Sequence, residues 1–346
     1  MFYFKEPTIN KYNYTEALEN IKKTLSQADA YTDHKSEKPI YTIKALTNEL
    51  IKTHIAEFGV KQTKQDLRLL GNAIRIASQT SQEVLHATQQ IIWGINANAL
   101  DFMSSGESSC LSEALEYIKK KVDIPVIFDI GANTGRWSKL VISSLNTFSL
   151  HIFEPNTSLK EELTNNIIAS MTSRNPDAQA HLNMTGIGNQ GKGKLFISNI
   201  SNELATTVLN SERPIYDNYE ELEITLTRGS TYCKTRRVNR IDYLKIDTEG
   251  SELAALKSFG AYIEKGKIKF IQFEYGKPSL FGDSKLSDFF ELLESQYSIH
   301  RILPEGITEQ LKYSAELESF EWSNYLAIHK ENLDLLGQFE QQTPLA

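Results

Sequence analysis

The run Val126-Ile-Phe-Asp-Ile-Gly-Ala-Asn-Thr-Gly135 constrains the fold of this chain more than any other stretch. Val126, Ile127, Phe128 and Ile130 suit a strand covered on both faces, and the glycines that follow allow a sharp bend. Trp137, Leu140, Val141 and Leu145 then recur at helical spacing. A strand, a glycine turn and a helix in that order present bare backbone and a positive helix end to a ligand.

The pattern repeats downstream. Ser149–Phe153 reads as a second strand ending in Glu154-Pro155, with Thr157 as the expected cap of the next helix and Glu161 and Glu162 in its first turn. Residues 182–187 read as a third strand, ending in Gly186-Ile187-Gly188, and residues 194–197 as a fourth. Residues 198–219 are a long polar connection, of the kind that covers sites. Residues 222–227 alternate as a strand, and residues 241–247 return to a buried-strand composition. That strand runs into Asp247-Thr-Glu-Gly-Ser-Glu252 and a helix over residues 253–259, so the first corner has a second version. A strand over residues 268–274, a helix over Leu286–Leu293 and two closing strands, 299–303 and 325–329, complete the series.

Alternating strands and helices imply an α/β, Rossmann-like fold, a mostly parallel sheet with helices on both faces. Ligands bind such sheets at the carboxyl ends of the strands, where Glu154, Asp247 and Glu274 are expected to meet. Before this lies a different pattern. Leu18, Ile21 and Leu25, then Ile43, Leu46 and Leu50, then Leu67, Leu70 and Ile74, then Val84, Ile91 and Ile95 give four amphipathic stripes. Two domains are therefore expected, an all-helical one over residues 1–106 and an α/β one over residues 107–346. The helices suit packing, homo-oligomer formation or a lid over a substrate.

At 346 residues and 40% apolar content the chain can bury a substantial core. A net charge of -7 argues against a general nucleic-acid footprint and favours a small-molecule partner. Cys110 and Cys233 are too few for a disulfide framework, no leader precedes the helical region, and no stretch has membrane-spanning length; a cytoplasmic setting is expected.

The glycine turn departs from the Gly-x-Gly-x-x-Gly of dinucleotide binders and lacks a Walker lysine. Asp129, just before the first glycine, opposes a pyrophosphate but suits a cationic amino group, directly or through water. Glu154 closes the next strand about 20 residues on, where a carboxylate accepts from both ribose hydroxyls.

Residues 129–135, Phe153-Glu154-Pro155, Gly186-Ile187-Gly188 and Tyr243-Leu-Lys-Ile-Asp-Thr-Glu-Gly-Ser-Glu252 together resemble the FkbM-type methyltransferases, a branch of the S-adenosylmethionine-dependent enzymes with a Rossmann-like class I fold. The resemblance spans roughly residues 124–329. It implies a cofactor cradle of Asp129, Gly131, Ala132, Asn133 and Gly135, with Glu154 and Pro155 at the ribose, Ile187 and Gly188 at the adenine, and Asp247 beside the methionine and the incoming substrate. It also implies methylation, most often of an oxygen on a sugar or other natural product. Transfer to nitrogen or carbon, and a binding protein without turnover, are the alternatives. In one respect the chain departs from the family: residues 228–240 form a short, basic connection whose Lys234, Arg236, Arg237 and Arg240 suit either an anionic substrate group or a solvated loop.

A hydroxyl acceptor must lose its proton, and Asp247, Glu249, Glu274, Lys245 and His300 are the candidates to take it or to orient the group that does. Asp247, Glu249 and Glu274 also admit a divalent metal as hard oxygen ligands, although no ligand spacing in the sequence supports one.

Overall fold

The computed structural model describes residues 102–103, 105–171, 175–198, 205–208, 219–304 and 306–337. The chain divides into two units between Asn96 and Ala97, and every described residue lies in the second. The four expected N-terminal helices lie outside the described residues.

Helix α1 (Glu107–Lys121) buries Leu111, Leu115 and Ile118, the apolar stripe that its spacing predicts. The chain then enters β1 (Val126–Ile130), turns through the glycines into α2 (Arg136–Ser144), and returns as β2 (Ser149–Phe153). Helix α3 (Lys160–Ser170) and β3 (Gln179–Asn183) follow. The cap before α3 is Asn156 rather than Thr157: its side-chain oxygen accepts from the Ser158 backbone N–H at 3.1 Å.

The expected strand over residues 182–187 is two pieces in two sheets. β3 stays on the main sheet, whereas β4 (Gly186–Ile187) joins β5 (Gly191–Ser198) and β6 (Tyr219–Thr227) in a separate three-stranded sheet of order β4-β6-β5. Its small core is Leu195, Ile197 and Ile224. Residues 228–240 also differ from a basic loop, since Gly229–Arg236 forms helix α4 and buries Tyr232 and Cys233. Its lack of a continuous apolar stripe hid it from periodicity.

β7 (Ile241–Ile246), α5 (Glu252–Lys257), α6 (Ala261–Glu264), β8 (Ile268–Tyr275), α7 (Lys277–Phe281), α8 (Leu286–Leu293), β9 (Tyr297–Leu303), β10 (Gly306–Ile307) and β11 (Ser323–His329) complete the main sheet and its cover. Its order is β10-β9-β11-β8-β7-β1-β2-β3. Strands β3, β2, β1, β7 and β8 run parallel, and β11 is antiparallel to both β8 and β9.

β7 is buried at every position, and alternate residues feed two cores: Leu244 and Ile246 join Phe128 and Ile130, whereas Tyr243 joins Ile127, Trp137 and Leu326. From β1 the chain moves outward to β2 and β3, then returns to β1's other side as β7. The carboxyl ends of β1 and β7 are therefore the switch point of the sheet, where a parallel sheet leaves its crevice.

Candidate functional site

Two strand-to-helix corners meet at that crevice. The first leaves β1 through Gly131, Asn133 and Gly135, whose φ angles are 79°, 50° and 83°. A Cβ on Gly131 would lie 1.7 Å from the Asp247 carbonyl oxygen, so only glycine lets the corners touch. At Gly135 the added atom would meet Leu163 at 2.7 Å, which is how α3 closes on the turn.

This corner is stitched to the end of β2. The backbone N–H groups of Gly131 and Ala132 both donate to Phe153 O at 3.0 Å. The Asn133 N–H donates to Glu154 Oε2 and the Asn156 N–H to Oε1, each at 2.8 Å. Burial raises the pKa of Glu154, against the pull of these two donors. Each oxygen takes one donor and keeps a lone pair for another.

These features fit a nucleoside cofactor. Glu154 offers two acceptor oxygens for vicinal hydroxyls. Helix α2 begins at Gly135 with no side-chain cap and no acid in its first turn. Gly188 has open space where a Cβ would stand, next to the buried Ile187. Pro155 ties the two parts together, 3.8 Å from the position a Cβ on Gly186 would take.

Asp129 lies beneath the cradle rather than in it. Its side chain is fully buried, Ser138 Oγ donates to Oδ2 at 2.7 Å, and Lys245 Nζ stands 3.4 Å from Oδ1. Lys245 is the residue that reaches the crevice, donating to Gly131 O at 3.2 Å and pairing with Asp247 at 3.3 Å. Burial alone would lower the pKa of its ammonium, but Asp247, Asp129 and Glu107 outweigh that and hold it well above its ordinary value. A lysine so firmly protonated orients carboxylates and is no resting general base.

The second corner leaves β7 through Asp247 and has φ angles of 53° at Glu249 and 112° at Gly250. It closes on its own acid. Glu252 accepts from the Thr248 N–H and hydroxyl at 2.8 and 3.1 Å and from the Gly250 N–H at 3.0 Å. The described end of the polar connection docks here too: Thr206 Oγ1 donates to Glu249 O at 2.5 Å, and Thr207 meets Ser251 through their hydroxyls.

Asp247 stays open, with 38% of its side chain exposed. Carboxylate oxygens of Asp247, Glu252 and Glu274 lie within 4.8 Å of one another, so Glu252 rather than Glu249 joins the other two. With Glu252 already accepting from the corner, the group is chiefly a concentration of negative charge. Burial first, then Asp247, Glu249 and Glu252, push the pKa of Glu274 well above its ordinary value.

One candidate is corrected. His300 is buried on β9 with its ring nitrogens 2.8 Å from Ser298 Oγ and from Thr308 O, and burial lowers its pKa; it is a satisfied core histidine. Among the basic residues of 228–240, Arg240 binds Asp242 at 3.1 Å while Asp242 also accepts from the Val126 N–H, both at the amino ends of their strands and thus away from the crevice. Lys234, Arg236 and Arg237 are exposed.

Sequence reasoning missed Glu107, Tyr243 and Gln272. Asp129, Lys245 and Gln272 are register partners across β1, β7 and β8, a polar row inside an apolar sheet. Tyr243 donates to Gln272 Oε1, and Gln272 Nε2 donates to Glu107 Oε2, both at 2.8 Å. A lone glutamine in the apolar run of β8 was the available signal, but its partners show only once the register is known.

The family described as the methyltransferase FkbM domain matches residues 129–299. No curated protein matches the chain. Among solved structures, the plantazolicin methyltransferase BpumL in complex with SAH is 12% identical, with 66% of this chain and 86% of that one covered at a TM-score of 0.36. The precorrin-6y C5,15-methyltransferase from Geobacter metallireducens GS-15 is 12% identical over 67% and 94% of the two chains, at a TM-score of 0.33. An O-methyltransferase from Bacillus cereus in complex with SAH is 9% identical over 71% and 89%, at 0.34.

Proposed function

The chain being an S-adenosylmethionine-dependent methyltransferase of the FkbM type over residues 129–299, we propose that it methylates a hydroxyl oxygen of a sugar or other small natural-product molecule. The observation that carries this reading is the open, acidic corner at Asp247 and Glu274, placed against the glycine cradle through the Gly131–Asp247 contact.

When bound, the cofactor supplies an activated methyl group, so the protein has to align the acceptor and manage one proton. Gly131, Asn133, Gly135 and Glu154 hold the donor, Glu154 at the ribose, with Ile187 and Gly188 bordering the adenine. Asp247 is the group that takes the acceptor's proton. Its side chain is 38% exposed, and Lys245 pairs with its carboxylate at 3.3 Å. Glu274, with a carboxyl oxygen within 4.8 Å of one of Asp247's, is placed to hydrogen-bond a neighbouring hydroxyl of the acceptor, a role suited to polyhydroxylated molecules. Glu249 shapes the corner through its backbone and its left-handed φ.

The net charge of -7 suits a small, uncharged acceptor better than nucleic acid. Among the described residues no helix is long and apolar enough to cross a membrane.

Incubating the protein with S-adenosylmethionine and panels of sugars, glycolipids and hydroxylated natural products, then reading products by mass spectrometry, tests the proposal. Gain of one methyl on oxygen is expected. Methylation confined to amines or carbon would overturn it.

A further inference from the structure

Glu107 opens α1 and precedes the residues matched by the family domain, yet its carboxylate bonds to Gln272 on β8 and feels the charges of Asp247 and Lys245 at the crevice. Its carboxylate is fixed from behind by neutral donors: Ser105 Oγ to Oε1 and Gln272 Nε2 to Oε2, each at 2.8 Å. Gln272 is held in turn by the Tyr243 hydroxyl, and both side chains are buried almost completely. Protein atoms enclose Glu107, but it is not sealed from solvent.

Its neighbours define what it can receive. Lys245 and Tyr243 on β7, Asp247 just after it, Glu274 on β8 and the Cys110 thiol on its own helix share its electrostatic field. Lys245 already pairs with Asp129 and Asp247. Among the described residues no cation pairs with Glu107. A buried carboxylate with only neutral partners is best matched by a positive charge brought from outside.

The cradle gives that charge a direction. Glu154 follows β2, Gly131 follows β1, and Asp247 follows β7, with Gln272 on β8 beyond. A nucleoside with its ribose at Glu154 and its adenine toward Gly188 sends its amino-acid tail the other way, across β1 toward Glu107. Resting on the cofactor reading above, we propose that Glu107 is a cofactor-binding residue that receives the ammonium of the methionine portion, which links cofactor binding to the release of a proton from Glu107.

Burial first, and then Asp247, push the Glu107 carboxyl up to about 7, while Ser105, Lys245 and Gln272 pull against them. A cation beside it favours the ionised form and expels the proton. Calorimetry at pH 6.5, in buffers of different ionisation enthalpy, reads that proton; a free α-amino group, with a pKa of about 7.7–8.0, is already charged there.

The wild-type protein is expected to release roughly half a proton or more on binding S-adenosylmethionine or S-adenosylhomocysteine. It should release none with 5′-methylthioadenosine, which keeps the nucleoside and lacks the amino-acid tail. Glu107→Gln should bind all three and release none. Equal release with methylthioadenosine, no release by the wild-type protein, or unchanged release in Glu107→Gln would overturn the inference. The comparison of ligands on the wild-type protein decides it even where the variant fails to fold. Folded protein that binds none of the three overturns the cofactor reading and the inference together, whereas binding without the proton difference overturns the inference alone.

Discussion

The two corners that meet at the crevice start from the same plan and end differently. Both leave a buried strand through residues with positive φ and enter a helix, and they touch where Gly131 faces Asp247 O. The first turns its backbone donors outward, to Phe153 O and to Oε2 of Glu154, and so recruits a carboxylate from the end of the neighbouring strand. The second turns its donors inward, to Glu252 of its own helix, and leaves Asp247 open. One corner becomes a rigid holder for a cofactor, and the other a charged surface for chemistry. Similar local sequence gives different roles because the partners of the backbone amides differ.

The largest effect that breaks this division should come from Asp247→Asn. It removes the proton acceptor while keeping the side-chain volume, and kcat should fall by about 10²–10⁴-fold. Steady-state kinetics with a saturating cofactor would show it, and an effect confined to a rise in KM would place Asp247 in binding instead.

Lys245→Met attacks the join between the corners. Lys245 is 7% exposed and Asp129 fully buried, so the change strands a buried carboxylate and should cost about 3–5 kcal/mol in denaturant unfolding. A loss below about 1 kcal/mol would mean that the corners are held by backbone alone.

The strand-helix alternation made the first corner legible, because a glycine turn and a strand-end glutamate are local in sequence. The apolar composition of β1 and β7 announced a sheet covered on both faces. Other features depended on register. Asp129, Lys245 and Gln272 form one row only because β1, β7 and β8 align them, which is why Asp129 read as a cofactor ligand and proves to underpin Lys245. His300 was one candidate base among several on the weak signal of a lone histidine, and hydrogen bonds with Ser298 and Thr308 account for it. Glu107 lies well before the motif residues in sequence, so nothing local tied it to them.

The division of labour is tested most directly by calorimetric titration of S-adenosylmethionine into the wild-type protein, Glu154→Ala and Asp247→Asn. Losing the charge-assisted bonds of Glu154 should weaken binding by about 1.5–3 kcal/mol. Asp247→Asn should leave affinity within about threefold, less than 1 kcal/mol. Unchanged affinity in Glu154→Ala, or an equal loss in Asp247→Asn, would contradict the assignment of cofactor and acceptor to separate corners.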